Sequence, residues 1–405
     1  MDFLARRRSP VLAWLWGPGF VASVAYVDPG NVAANLTSGA RYGYRLVWVL
    51  VLANVTAMLV QYLSAKLGLV TGASLAELLG ERLGKVPRVL FLGQAEVIAV
   101  ATDLAEVIGG AIALQILFGL PLVLGGSIVG VVSLGLLGVQ SWRGQRPFEF
   151  VVIGLLAVIA VGFMAGLFVS GVRWEEAAAG LVPGFAGRDS VLLAASMLGA
   201  TVMPHAIYVH SSLVVDRHGA AGREGLPRLL RATRWEVVAS MVVAGAVNIA
   251  MLLVAAAALP GMGADSISEA HAAIANHLGQ GVAALFAVGL LASGLASTSV
   301  GAYAGASLMR GLLKARVPLV VMRLITLVPA LVVLALPLDP TWVLVLSQVV
   351  LSLGIPFALV PLVRLTGAKL MGGYVNSRPL AVVAWLAVAV ISALNLVLIW
   401  LTLTG

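Results

Sequence analysis

Two polar interruptions decide how this chain is read: Asp28-Pro29-Gly30-Asn31 and Met203-Pro204-His205. Each sits in a stretch otherwise apolar and long enough to cross a bilayer. Proline has no backbone N–H and its ring clashes with the preceding turn, so a helix running through either site should break. Gly30 makes continuation harder still. Asp, Asn, Met and His are also all metal-ligand types. The expectation is that the two breaks face each other at mid-membrane and form one cation site.

Composition sets the frame. Of 405 residues, 61% are hydrophobic and 10% charged, and mean hydropathy is +1.05. Soluble domains carry about 25% charged residues, so the chain reads as one polytopic membrane unit. It has no cysteine, which excludes disulfides, thiolate zinc sites and iron–sulfur clusters. Its net charge of +8 does not imply nucleic acid. Twenty of the 25 Lys and Arg fall on one set of alternate loops, against Arg41, Arg45, Arg173 and Arg188 on the other and Arg323 within a span. That is a positive-inside bias, and it places the N-terminus, with Arg6, Arg7 and Arg8, in the cytoplasm. The first apolar run is read as an uncleaved span.

A span needs about 20 apolar residues. Eleven candidates lie near 16–39, 46–69, 88–116, 119–139, 149–172, 191–215, 235–258, 281–311, 317–336, 341–364 and 380–403. An odd count puts the C-terminus outside. Short amphipathic helices are expected over 74–86 and 265–279, and His218, His271 and His277 are expected in solvated loops. The breaks fall in the first and sixth spans, five apart. Transporters built from inverted repeats bind substrate where two discontinuous helices meet near the midplane. The division expected is a first five-helix repeat over 16–172, an inverted second over 191–364, and an accessory helix over 380–403.

Four acids lie well inside spans: Asp28, Glu96, Asp103 and Glu106. An ionised acid at mid-bilayer costs at least about 2.5 kcal/mol, so it usually faces a cavity, a partner or an ion. Glu96, Asp103 and Glu106 fall along much the same face of the third span. That stripe suits a proton relay or pairing with a cation, and Arg323 is the only guanidinium within a span. Read alone, Asp28 and Asn31 also fit a helix cap, Met203 fits core filler, and His205 fits a buried histidine bonded within its helix.

Ligand softness narrows the ion. Oxygen donors suit Mg²⁺, Ca²⁺ and Mn²⁺, whereas a thioether is a soft donor that hard ions do not reward. A site of Asp, Asn, backbone carbonyl and Met fits Mn²⁺ or Fe²⁺ better than Mg²⁺ or Ca²⁺. No His-Glu-x-x-His, Gly-x-Ser-x-Gly or phosphate-loop pattern appears, so the reading is a transporter, not a hydrolase.

These residues resemble the Nramp divalent-metal transporters, of the bacterial manganese-transport type. The resemblance covers all eleven spans. It is carried by Asp28-Pro29-Gly30-Asn31 and by Ala200-Thr201-Val202-Met203-Pro204-His205 with Tyr208 and His210 following. Ala101 to Glu106, Ser347 to Ser352 and Gly294 to Leu313 support it. It implies that Asp28, Asn31, the Ala200 carbonyl and Met203 hold the metal, with Gln348 joining in some conformations. Asp28 and Asp103 would carry the coupled proton, with Glu106, His205 and Arg323 in the surrounding network. Gln61 and Asn248 match gating positions, with His210 as polar support.

Three departures stand out. Met322-Arg323 replaces a usual arginine pair, Leu295 a usual Gln, and Arg310 a usual Glu. The function expected is proton-coupled import of Mn²⁺, then Fe²⁺, by alternating access in a bacterial inner membrane. The metal is cargo, with no resident cofactor; the partners are metal ions, protons and the lipid bilayer, and a monomer is compatible with this. A sodium-coupled amino-acid or amine transporter of similar fold is the alternative, and a metal-sensing receptor or channel-like pore is a further one.

Overall fold

A computed structural model describes residues 17–219, 225–259, 266–314 and 318–404. Arg6, Arg7 and Arg8 lie outside the described residues. Within them the chain is helical, with no strand.

The first half runs α1 (Pro18–Val24), α2 (Pro29–Tyr42), α3 (Val47–Thr71), α4 (Leu75–Arg82), α5 (Lys85–Phe118), α6 (Leu122–Arg143), α7 (Gln145–Met164) and α8 (Trp174–Ala179). The second runs α9 (Arg188–Thr201), α10 (Pro204–His218), α11 (Leu226–Ala258), α12 (Ile267–Leu278), α13 (Gln280–Leu313), α14 (Leu319–Ala335), α15 (Pro340–Thr366) and α16 (Arg378–Thr404). Nine described helical stretches are long and apolar enough to cross a membrane; one of them, Pro29–Thr71, joins α2 to α3, and Pro18–Val27 and Val321–Ala335 are shorter apolar helices. With α1–α2 as one broken crossing and α9–α10 as another, and with the short α4, α8 and α12 set aside, the described helices correspond one to one with the eleven expected spans.

Proline sets both breaks. Pro29 and Pro204 each stand in the first turn of the helix that restarts, where a missing N–H costs nothing. The long crossings α5 and α13 pack on each other; α5 also packs on α14 and α15, and α13 on α7 and α14. Large apolar side chains point outward, among them Val131, Trp142, Phe168, Val382 and Leu386. The interior holds Asp28, Gln61, Asp103, Glu106, Asn248 and Arg323. An apolar exterior around a polar interior is what lipid requires of a multi-pass protein.

One expectation holds and two are corrected. The short helix expected over 74–86 forms as α4, which buries Leu75, Leu78 and Leu79 and packs on α13. Its N-terminus is closed by a capping box between Ser74 and Glu77, and α12 carries the same device in Ser266 and Glu269. His218 and His271 are half-buried in α10 and α12, not in loops; burial lowers the His271 pKa, and its ring lies 6.3 Å from Phe286. Finally, α11 begins at Leu226, so Arg228, Arg231 and Arg234 extend the crossing as helix.

Candidate metal centre

At the first break α1 ends at Val24 and Ala25–Val27 form a 3-10 turn. Asp28 is then extended, with φ −69° and ψ 165°. Its Oδ1 accepts from the Asn31 backbone N–H at 2.9 Å, which satisfies one of the donors orphaned at the start of α2. Asp28 is therefore a cap, and the rest of its surroundings go beyond capping.

Unwinding a helix inside a membrane exposes carbonyls that some group must satisfy. Here the donors come from distant helices. Asn248 Nδ2 donates to the Tyr26 carbonyl at 2.7 Å and Ser293 Oγ to the Val27 carbonyl at 2.6 Å. Asn35 Nδ2 orients Asn248 by donating to its Oδ1 at 2.8 Å. Gln61 Nε2 donates to the Tyr26 hydroxyl at 2.6 Å, and Gln61 Oε1 lies 2.7 Å from His210 Nδ1. Gln61, Asn248 and His210 thus all attach to the first break through Tyr26. Tyr26, Asn35 and Ser293 are not singled out by the sequence reading.

The second break is shorter. Val202 (φ −98°, ψ 81°) and Met203 (φ −76°, ψ 123°) separate α9 from α10. Pro204 has no N–H for the carbonyl four residues earlier, that of Ala200. That carbonyl accepts from Asn31 Nδ2 at 3.2 Å, and the same nitrogen lies 2.5 Å from Asp28 Oδ1. Thr201 Oγ1 donates to Asn31 Oδ1 at 3.3 Å. One amide group therefore bridges the Asp28 carboxylate and the Ala200 carbonyl. Met203 is fully buried where α10 begins.

Gln348, on α15, closes the cluster. It is buried, and neither atom of its amide has a hydrogen-bond partner among the described residues. A Cβ on Gly30 would overlap Gln348 Nε2 and lie 3.1 Å from Asp28 Oδ2, so only glycine lets this amide lie so close. From Gly30 and Gln348 a cavity of about 310 Å³ runs between α2 and α9 to Arg41 and Asp189. On the opposite side α1 is wholly buried, and Gly19 N–H donates to Glu236 Oε1 at 2.9 Å.

Among the described residues no three His, Asp or Glu side chains gather to hold an ion. The donors that do converge are one carboxylate, two amides and a carbonyl, with Met203 in the break between Ala200 and α10. Asp103, Glu106 and Arg323 form a separate ionisable group. Arg323 is fully buried on α14, and its Nη1 donates to Asp103 Oδ1. Its Nε and Nη2, Asp103 Oδ2 and both Glu106 oxygens have no protein partner among the described residues. The Glu106 carboxylate faces the backbone of Gly301 on α13. Glu96 is half-buried with neither oxygen paired among the described residues, so it shares the helix but not the Arg323 contact. His205 is buried beside Ala95, Ile98 and Tyr208, with neither ring nitrogen bonded among the described residues.

Residues 19–401 match the family model described as Natural resistance-associated macrophage protein-like, Nramp. The chain belongs to the Nramp family. It is 59% identical over 403 residues to the divalent metal cation transporter MntH of Mycobacterium tuberculosis (strain ATCC 25618 / H37Rv), covering 98% of this chain and 94% of that protein. It is 44% identical to MntH of Deinococcus radiodurans, covering 96% and 90%. The crystal structure of the Eremococcus coleocola manganese transporter, in complex with an aromatic bis-isothiourea substituted compound, aligns with a TM-score of 0.84 at 30% identity, over 96% of this chain and 86% of that one. A nucleobase-cation-symport-1 family transporter aligns with a TM-score of 0.56 at 16% identity, a likeness of fold alone. This Nramp chain has the LeuT-like fold with broken first and sixth crossings.

Proposed function

We propose that the chain imports divalent transition-metal ions, Mn²⁺ first and Fe²⁺ second, coupled to protons and by alternating access. The observation that carries the reading is the Asn31 amide, whose one nitrogen meets Asp28 Oδ1 and the Ala200 carbonyl. Two oxygens from two helix breaks already converge on a positively polarised group. A divalent ion taking the place of that N–H₂ would meet both oxygens, and turning over the amide would offer Asn31 Oδ1 as a third. Met203 would add the soft donor that Mn²⁺ and Fe²⁺ tolerate better than Mg²⁺ and Ca²⁺. Gln348, whose amide has no protein partner among the described residues, would complete the shell with water.

The repeats expected over 16–172 and 191–364 are consistent with α5 and α13, both 34 residues long. With the N-terminus cytoplasmic and the C-terminus outside, the end of α2 is extracellular, and the cavity toward Arg41 and Asp189 is the entry path. The closed side at α1 is then the exit. Asp28 and Asp103 would carry the proton, with Arg323 compensating Asp103 and with Glu106, Glu96 and His205 as polar groups along the path. One arginine serves where relatives of this type commonly have two. Ion binding can favour inward opening only by binding the two states with different affinity.

The test is Mn²⁺ uptake into proteoliposomes against Mg²⁺, with an inward proton gradient imposed or absent. Mn²⁺ uptake accelerated by the gradient and indifferent to Mg²⁺ is expected. Uptake that the gradient does not change removes the coupling, and competition by amino acids or amines removes the metal substrate.

A further inference from the structure

We infer that Asn395, on the last crossing, is a positioning residue for Gln348, so that α16 belongs to the transport machinery instead of standing outside it. The inference rests on the proposed metal site, because Gln348 matters only if that site binds the ion.

The argument starts from Pro356, inside α15. Without an N–H, it leaves the carbonyl four residues earlier, that of Ser352, with no helical partner. A free carbonyl at this depth is costly unless another group answers it. Asn395 Nδ2 donates to that carbonyl at 2.5 Å, and Ser352 Oγ donates to Asn395 Oδ1. Both side chains are buried. Asn395 therefore replaces the missing backbone donor with its own amide and satisfies the serine hydroxyl as well.

Ser352 is placed to transmit this support. It lies one helical turn from Gln348, on the same face of α15. It also abuts the second break: a Cβ on Gly199 would lie 2.9 Å from Ser352 Cβ and 3.0 Å from its Oγ. Gly199 immediately precedes Ala200, whose carbonyl faces the proposed site. One turn of α15 thus meets α2 through Gln348 and α9 through Ser352, and Asn395 fixes that turn from behind. A proline-opened helix has freedom to bend, and bending here would move Gln348 relative to Asp28.

The experiment measures Mn²⁺ uptake by full-length protein in proteoliposomes. Asn395→Ala should lower uptake several-fold. In a Gln348→Ala background the same change should cost nothing further, because its effect runs through Gln348. Pro356→Ala restores an N–H for the Ser352 carbonyl and should recover most of the uptake lost in Asn395→Ala, and its folded yield if that variant expresses poorly. Multiplicative losses in the Gln348→Ala background, or no recovery with Pro356→Ala, overturn the inference. Loss of the metal reading is separate: there, Asp28→Ala would leave uptake intact whatever Asn395 does.

Discussion

The two helix breaks are not equivalent. The first spans a 3-10 turn and an extended Asp28, and its carbonyls are met by Asn248 and Ser293 from two other helices. Gln61 holds the Tyr26 hydroxyl as well. The second is two residues long, has no side-chain cap, and its Ala200 carbonyl is met by Asn31 from the first break. One break is braced by the bundle and the other leans on its partner. A buried carbonyl braced by the scaffold is structural, whereas one met only by a side-chain amide of the other break could exchange that partner for an ion. Under the proposed function, the contrast gives a supporting role to Tyr26 and Val27, and the proposed binding role to Asp28, Asn31 and Ala200.

The comparison breaks most visibly at Asp28. Asp28→Ala removes the only carboxylate of the convergence and should abolish both Mn²⁺ uptake and Mn²⁺ binding by calorimetry; near-normal transport would refute the site. Asn31→Ala comes next. It leaves the Ala200 carbonyl without its donor and removes one of the two amides of the proposed site, so Mn²⁺ affinity should weaken at least about tenfold, roughly 1.4 kcal/mol. Asn248→Ala sharpens the contrast. It strips the Tyr26 carbonyl of its donor, a loss of about 1–3 kcal/mol for a buried unsatisfied group. The apparent melting temperature in detergent should fall while Mn²⁺ affinity changes less than in Asn31→Ala. The reverse ranking would mean that the first break binds through its backbone.

Much of this was legible in the chain. Proline at 29 and 204 announces each break through a local rule, and the polar residues beside it announce ligand chemistry. Hydropathy gives the crossings because bilayer thickness fixes their length. The bracing was not legible. Asn248 and Tyr26 are 222 positions apart and Ser293 and Val27 are 266 apart, and nothing local in a serine or asparagine names its partner. In sequence, Tyr26 is one more bulky residue in an apolar run. The start of α11 departs from the hydropathy boundary for a related reason. A hydropathy boundary falls where charge begins, yet Arg is a good helix former, so the helix continues through Arg228, Arg231 and Arg234. The depth of α4 was hidden because an amphipathic pattern shows that one face is covered, and not by what.

Met203 offers a subtler test, because removing it should leave the ion bound. Met203→Ala keeps the oxygen donors and takes away the soft one. Mn²⁺ uptake should persist, while Ca²⁺ or Mg²⁺ should begin to compete, as neither is expected to do in the wild type. Unchanged discrimination would mean that the breaks select by geometry alone.

The smallest expected effect isolates bracing from binding altogether. Ser293 Oγ donates to the Val27 carbonyl across the bundle, whereas Thr201 Oγ1 donates at 2.6 Å to Met197 within its own helix, besides its longer bond to Asn31. Ser293→Ala orphans a carbonyl that unwinding has already freed, at about 1–3 kcal/mol. Thr201→Val leaves the Met197 carbonyl with the fourth-following N–H of the helix still in place, so it loses a supplementary bond and keeps its volume. Thermal unfolding in detergent without metal should therefore show a larger fall for Ser293→Ala than for Thr201→Val. Equal falls would mean that the second break is braced as firmly as the first. The distinction between a scaffold half and an exchangeable half would then have to rest on Asn31 alone.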